Sequence, residues 1–161
     1  GRLDLAPPVL LADLGLAAQA VEESVPSLVI IGRRDVRSNN SWMHNLPTLA
    51  KGPFRCTALV HPVDAARLGL QDGALARIAA VTRANEAPRS VQAQVHVSDQ
   101  MMPGVVSLPH GWGHNLPGAK LHLAAQRPGA NLNALLDDQL RDPLSGNAVL
   151  GGVAITMQAM H

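Results

Sequence analysis

The stretch Ser27-Leu28-Val29-Ile30-Ile31-Gly32-Arg33-Arg34 changes abruptly from apolar to cationic. Its first part is a continuous apolar run rich in β-branched residues, which is typical of a fully buried strand. Gly32 ends the run, and the polar segment that follows also carries Arg37. The stretch therefore predicts a buried strand that opens into a cationic loop, where guanidinium groups could dock on a pyrophosphate. A loop whose charges are merely solvated is the alternative interpretation.

Further segments downstream have the composition and spacing of short strands. Val91, Ala93, Val95 and Val97 alternate with polar residues, which is the clearest strand pattern in the chain. The other strand segments are residues 54–60, 75–82, 105–108 and 148–157. Six short strands, few helices and no strand–helix alternation predict a mainly β fold. We expect a six-stranded, closed or nearly closed β-barrel with short helices and long irregular loops.

Three segments favour helix. Residues 61–69 predict a short helix, because Pro62 suits its first turn and Gly69 suits its end. An amphipathic helix is predicted over residues 10–21, and a helical turn over residues 134–140. We therefore expect residues 1–25 to form a linker or helical segment from a preceding region, and residues 26–161 to form the barrel domain. Because the chain begins with Gly1, we also expect that an upstream part has been removed.

The bulk composition excludes several classes of protein. Lys plus Arg number 13 and Asp plus Glu number 12, so the net charge of +1 predicts no nucleic-acid partner. Cys56 is the single cysteine and has no partner for an intrachain disulfide. No apolar run approaches the roughly 20 residues that a membrane span needs, and no signal sequence is visible. The sequence therefore predicts no membrane span, and we expect a cytoplasmic location.

The chemically active residue types do not form a familiar catalytic pattern. His110 and His114 lie four apart, but Gly111 and Gly113 between them argue against a helical metal site. Ser107 and Cys56 both lie in strand segments, where a nucleophile is not expected. We therefore predict no catalytic residue and no metal ligand in this chain.

The loop residues suggest binding instead of catalysis. Gly111 and Gly113 carry no side chains, so a ligand could approach the backbone N–H groups closely. Asparagine amides such as those of Asn39, Asn131 and Asn133 can read the edge of a nucleobase, although each is also a common turn residue. Neither of the two glycine-rich phosphate-binding consensus patterns is present.

Taken in order along the chain, the short motifs resemble a known family. They are Ile30-Ile31-Gly32-Arg33-Arg34, Asn40-Ser41-Trp42-Met43-His44-Asn45, His61-Pro62-Val63-Asp64-Ala65, Asp72-Gly73, Met102-Pro103-Gly104-Val105-Val106, His110-Gly111-Trp112-Gly113, Asn131-Leu132-Asn133 and Asp142-Pro143-Leu144-Ser145-Gly146. Between about residues 27 and 157 the chain is similar to the C-terminal molybdopterin dinucleotide-binding domain of the formate dehydrogenase, nitrate reductase and dimethyl sulfoxide reductase superfamily.

This resemblance implies a double-psi β-barrel that grips a molybdopterin guanine dinucleotide carrying molybdenum or tungsten. The partners would be the remaining domains of a parent oxidoreductase. Because the metal-ligating residue of such enzymes lies in another domain, this chain alone would be inactive. The residues implied to bind the cofactor are Gly32, Arg33, Arg34, Asn39, Asn40, Ser41, Trp42, Asn45, His110, Gly111, Trp112, Gly113, His114, Asn131 and Asn133.

The resemblance also bears on the subgroup of the family and on a rival class of protein. The run at residues 40–45 looks closer to formate dehydrogenase-like members than to the periplasmic nitrate reductase type. The rival interpretation is a protein-interaction module, because double-psi barrels also serve as substrate-recognition domains. Such a module has no need for the Gly-Trp-Gly loop or for asparagines clustered beside arginines, which favours the cofactor-binding hypothesis.

Overall fold

A closed barrel forms the centre of the computed structural model, which describes residues 3–82 and 86–160. The strands of the barrel are β1 (Val29–Arg33), β2 (Thr57–Val60), β3 (Leu75–Ala80), β4 (Ser90–Val97), β5 (Val105–Pro109) and β6 (Val153–Ala159). The helices are α1 (Pro8–Glu22), α2 (Pro47–Ala50), α3 (Pro62–Leu68) and α4 (His122–Ala125), with one 3₁₀ turn at Leu132–Leu135. Residues 1, 2, 83–85 and 161 of the two predicted segments lie outside this description.

The strands follow one another around the barrel in the order β1-β5-β2-β4-β3-β6. Two pairs are parallel, β1 with β5 and β2 with β4, and the remaining contacts are antiparallel. The predicted mainly β, six-stranded closed barrel with short helices is therefore confirmed. Two parallel pairs between strands far apart in the chain are also compatible with the double-psi connection that the resemblance implies.

Aliphatic side chains fill the barrel. On β3, Ala76 and Ile78 are fully buried, and their partners Ala93 and Val91 on β4 continue the same layer. Alternation therefore places one face of each strand inside, as the period-two pattern predicts. Burying this face supplies the main stabilisation of the fold. The other fully or nearly fully buried core residues include Ile30, Ala58, Val60, Val95, Val106, Leu108, Leu135 and Ile155.

The helices agree with the sequence where the pattern is long enough. α3 begins at Pro62 and ends at Gly69, whose φ of 64° is left-handed, so this predicted helix is confirmed. α1 contains the predicted residues 10–21, but none of its residues is buried, so its apolar side chains have no buried face. α2 and α4 were not predicted, because four residues show no helical periodicity.

Two element boundaries differ from the prediction. β2 begins at Thr57, three residues later than expected, because its pairing with β4 begins at Thr57 opposite Gln94. The predicted turn over residues 134–140 is a 3₁₀ turn that begins at Leu132. Its start is set by Asn131, whose side-chain oxygen accepts the N–H of Asn133 at 3.1 Å.

The seam between β5 and β2 is closed by a side chain. The backbone register between these strands contains one pair, Leu59 with Ser107. Arg33 reaches across from β1, and its guanidinium donates to the carbonyl oxygens of Ser107 at 2.6 Å and Thr57 at 2.7 Å. A longer bond of 3.3 Å joins it to the carbonyl of Arg55. Arg33 therefore supplies donors that the short ladder between β5 and β2 lacks.

Replacing Arg33 by leucine should lower the free energy of unfolding by about 2–4 kcal/mol, because several carbonyl groups would lose a charged donor. Urea unfolding followed by circular dichroism measures this change. The matched control is Arg34→Leu, the exposed neighbour, for which we expect a change within about 0.5 kcal/mol. Equal losses in the two variants would contradict the structural role of Arg33.

Candidate functional site

The parallel pair of β1 and β5 places two sequence-predicted residues side by side. Arg33 lies opposite Pro109 in the register, and the N–H of His110 donates to the Arg33 carbonyl at 3.2 Å. Because parallel strands end at the same edge, Arg34 and His110 leave the barrel together. Burial lowers the pKa of His110, and the positive charge of Arg34 lowers that pKa further. This end of the barrel therefore combines a guanidinium with an uncharged imidazole.

The segment we name the asparagine loop (residues 39–45) packs on the segment we name the glycine loop (residues 110–114). Asn39 and Asn40 have φ values of 43° and 64°, a left-handed conformation that asparagine tolerates better than most residues. A Cβ atom on Gly111 would overlap the carbonyl oxygen of Asn40. The Arg34 guanidinium donates to the Asn40 side-chain oxygen, which joins the asparagine loop to the end of β1.

A fourth predicted segment meets the glycine loop from another side. A Cβ on Gly113 would lie 2.6 Å from the Cβ of Asn131, and the N–H of Gly113 donates to the Pro128 carbonyl at 2.7 Å. The absent side chains of Gly111 and Gly113 thus make room for Asn40 and Asn131 of the protein itself. A Cβ on Gly32 would also lie 3.1 Å from Leu132 Cδ2. The four predicted segments therefore meet at one end of the barrel.

The predicted residues differ in how their side chains are used. Nη1 and Nη2 of Arg33 donate to backbone carbonyls, whereas Arg34 is exposed. The Asn45 side-chain oxygen accepts the N–H groups of Leu123 and Ala124, which begin α4. Among the other predicted residues, Asn39, Asn40, Trp42 and Asn133 are exposed, and Ser41, Trp112 and Asn131 are half-buried. Binding of a cofactor by these residues remains a prediction.

A cluster of aromatic rings lies between the two loops. His44 Nδ1 is 2.6 Å from His114 Nε2, and the rings meet edge to face with centroids 4.8 Å apart. The His44 ring also packs on Trp112 at 4.1 Å between centroids. We did not predict His44 as a site residue. The available signal was that His44 and His114 both lie in segments expected to surround one ligand.

Both histidines of the cluster are held neutral. Burial is the main cause that lowers the pKa of His44 to about 4. Repulsion from any proton on His114 and from the Arg55 guanidinium adds to this effect, and Asp35 opposes it. Burial also lowers the pKa of His114, against a hydrogen bond to the Gly111 backbone that raises it. Neither ring is therefore a source of positive charge at neutral pH.

Besides Nε2 of His44, two ring nitrogens have no hydrogen-bond partner among the described residues. They are His110 Nε2 and Trp112 Nε1, and both atoms are buried. Buried polar atoms without partners are rare in folded proteins and are found most often where a ligand or water completes the structure. Both belong to the glycine loop, next to Arg34 and Asn40.

A cavity of about 230 Å³ lies behind the ring cluster. Its walls are mostly apolar, and three cationic side chains border it. Arg127 donates to the carbonyls of Ala50 and Gly52, and Arg55 pairs with Asp35 at 3.4 Å, so two of these cations are already bound. The lining residues are His44, Pro47, Ala50, Lys51, Pro53, Arg55, Trp112, Leu123, Ala124 and Arg127.

The described residues form neither a metal centre nor a membrane-spanning helix. Within residues 3–82 and 86–160, no group of three or more His, Cys, Asp or Glu side chains could hold a metal ion. No helix in that part of the chain is long and apolar enough to cross a membrane. Burial raises the pKa of the Cys56 thiol to about 11, so this thiol is protonated and inert as a nucleophile at neutral pH.

A closed barrel that gathers a guanidinium, side-chain amides and imidazoles at one end defines a ligand-binding barrel domain suited to an anionic, nitrogen-rich ligand. The sequence model of the family described as "Molydopterin dinucleotide binding domain" matches residues 28–154. The chain belongs to this family. The resemblance inferred from the short motifs is therefore confirmed.

Comparison with solved structures gives the same architecture. Acetylene hydratase from Pelobacter acetylenicus is similar with a TM-score of 0.63 and 21% sequence identity. The similarity covers 92% of this chain, and the chain spans 19% of that protein. At this identity the likeness concerns the fold alone. Comparison with curated protein sequences gives no match.

Replacing Gly111 by alanine should separate the two loops, because the new Cβ meets the Asn40 carbonyl. The matched control is Gly118→Ala, since Gly118 has the same φ of 86° and nothing within 4 Å of an added Cβ. We expect about 1 kcal/mol of destabilisation for Gly118→Ala and about 2 kcal/mol more for Gly111→Ala. Thermal unfolding and the amide shifts of Asn40 and Ser41 measure both effects. Equal destabilisation by the two variants would show that the loops are not in contact.

Proposed function

We propose that this chain binds a molybdopterin guanine dinucleotide, carrying molybdenum or tungsten, as the C-terminal domain of a larger oxidoreductase. Family membership supports a molybdopterin dinucleotide as the ligand class. The guanine form, the metal and the oxidoreductase activity are the parts that we propose. The domain would bind and orient the cofactor, while the metal centre would supply the redox chemistry when the cofactor is bound.

The observation that carries this proposal is the position of Arg34. It lies at the common end of a parallel strand pair, hydrogen-bonded to Asn40 and close enough to His110 to lower its pKa. Arg33, by contrast, is held by carbonyl groups inside the fold. Of the two predicted arginines, Arg34 is therefore the one whose guanidinium is placed to pair with a pyrophosphate.

The residues of this end of the barrel fit such a ligand. The unpartnered Nε2 of His110 and Nε1 of Trp112 offer polar contacts to an added group. The exposed amides of Asn39, Asn40 and Asn133 offer both donors and acceptors, which a guanine or pterin edge requires. Arg34 supplies a permanent positive charge for an anion, and the neutral His110 beside it can add a hydrogen bond from its imidazole N–H.

The rest of the parent enzyme belongs to the same proposal. We propose that its remaining domains are the partners of this chain, with residues 1–25 as the linker toward them, and that the chain alone is inactive. The exposed apolar side chains of α1, such as Leu10 and Leu14, support a contact of this helix with another part of the enzyme. The formate dehydrogenase-like assignment rests on the run at residues 40–45, and we propose it as the reaction class to test first.

Arg34→Ala should weaken the binding of GDP by about 1–3 kcal/mol, because a charged pair with phosphate would be lost. We expect the dissociation constant of the unmodified chain to be about micromolar or weaker, since one domain forms only one wall of the site. Titration with GDP, with ADP as the reference nucleotide, can be followed by amide chemical shifts.

The control variant is Arg77→Ala, which removes an exposed arginine from β3. It should leave GDP binding unchanged. Shifts in residues 32–42, 110–114 and 131–133 with GDP preferred over ADP are the expected result. Unchanged affinity in Arg34→Ala would refute the role of Arg34, and shifts confined to other surfaces would favour the protein-interaction module.

A further inference from the structure

We propose that His44 is a positioning residue of this site. His44 and His114 form a pair of neutral imidazoles joined by one N–H···N hydrogen bond. This bond links the asparagine loop to the glycine loop, and protonation of the pair in acid breaks the link. The functional consequence rests on the proposed cofactor binding, because the two loops carry Asn40 and Gly111. The pair itself rests on the geometry of the two rings.

The hydrogen bonds determine where the protons lie. The hydrogen bond between His114 and the Gly111 backbone raises the pKa of His114, so the ring donates and the backbone carbonyl accepts. Because His114 Nε2 faces His44, the donating nitrogen is Nδ1, and a neutral His114 then has an unprotonated Nε2. In this arrangement His44 donates its Nδ1 proton across the 2.6 Å contact.

The other nitrogen of His44 agrees with this arrangement. If Nδ1 of His44 carries the proton, its Nε2 is a bare lone pair. That atom is buried and has no partner among the described residues, and the residue as a whole is 4% exposed. A buried lone pair without a donor costs less than a buried N–H⁺ without an acceptor, because only the second leaves a charge unsolvated.

A second proton has no acceptable position in the pair. On His114 Nε2 it would point at the N–H of His44, and on His44 Nε2 it would be buried without an acceptor. The charged groups around His44 add to the penalty, because Arg55, Lys51 and Arg127 border the same cavity. Asp35 is the opposing charge, and it is already paired with Arg55. The loops must therefore part before the pair can accept a proton.

The direction of the pH dependence follows from these groups. The pKa of His44 in the folded chain is lowered from 6.5 to about 4. The contribution of the neutral pair is therefore complete above pH 6.5 and is lost as the pH falls from 6.5 toward 4. Asn40 and Gly111 lie in the two fastened loops, so their contact should loosen in the same window.

The test uses the 161-residue chain labelled with ¹⁵N. Long-range proton–nitrogen spectra at about pH 7.5 report the tautomer of each histidine ring, and we expect protonated Nδ1 in both His44 and His114. On acidification, both rings and the amides of Asn40 and Gly111 should change together, with one midpoint below pH 6.5. An Nε2-protonated His44, or two rings that titrate separately near pH 6.5, would overturn the proposal.

A variant of His44 separates the effect of its hydrogen bond to His114 from the effect of its packing on Trp112. His44→Phe keeps a ring against Trp112 but removes the N–H that occupies His114 Nε2, so the titration midpoint of His114 should rise, while the part of its lowering that burial causes remains. The amide of Asn40 should then stop following the titration of the glycine loop. The matched control is His96→Phe, an exposed histidine on β4, which should leave the titration of His114 unchanged. An unshifted His114 in His44→Phe would refute the pairing, and the titration of the unmodified chain decides the matter if the variant does not fold.

Nucleotide binding distinguishes this proposal from the function on which it rests. At constant pH of about 7.5, His44→Phe should weaken GDP binding about fivefold by loosening the two loops. A chain that shows no preference for GDP overturns the proposed cofactor binding, whereas the tautomers and the common titration still decide the histidine pair. GDP binding that is unchanged in a variant with an altered His114 titration would overturn the positioning role.

Discussion

The rest of this structure depends on the hydrogen bonds that the Arg33 guanidinium donates to backbone carbonyls of two other strands. A barrel must satisfy the backbone groups of every strand, and the contact between β5 and β2 contains one backbone pair. Arg33 completes this seam from β1 by donating to the carbonyls of Ser107 and Thr57. Closing the seam between β5 and β2 fixes the end of β1 beside the end of β5. The positions of these two strand ends determine where the loops that follow them begin. One side chain thereby connects the closure of the core to the geometry of the site.

The neighbouring arginines Arg33 and Arg34 have different roles, although the sequence predicts the same role, phosphate binding, for both. Arg33 points into the fold and satisfies carbonyls, whereas Arg34 lies outside and contacts Asn40. β1 ends at Arg33, so Arg34 already belongs to the loop that leaves the barrel. The two glycines of the glycine loop also serve contacts within the chain. Because Gly111 and Gly113 have no side chains, Asn40 and Asn131 can pack closely against them. The site is therefore assembled mainly by contacts within the chain, and a ligand meets a surface that is already in place.

The sequence predicts the elements whose patterns repeat over several residues. The alternation of residues 91–97 and the Pro62 and Gly69 boundaries of α3 were sufficient, because burial and backbone conformation act locally there. The one-turn helix α4 was missed because its start depends on a distant group, the Asn45 side chain. The one-turn helix α2 was missed because four residues show no helical periodicity. The site segments could be named from their motifs, but the contact of His44 with His114 could not. It depends on two loops being brought together by strands that lie far apart in the chain.

The pairing of β1 with both β5 and β6 also determines at what stage of folding the site is formed. Val29 pairs with Val105 on one side and with Ala154 on the other, so β1 cannot complete its contacts until nearly the whole chain is available. Barrels built from such distant pairings fold slowly, because each closure must overcome the entropy of a long loop. Arg34 and His110 become neighbours once β1 has paired with β5, whereas the last contacts of β1 wait for β6. A ligand that needs both residues would bind only after the β1–β5 pair has formed, and its binding would draw the folding equilibrium toward the native barrel.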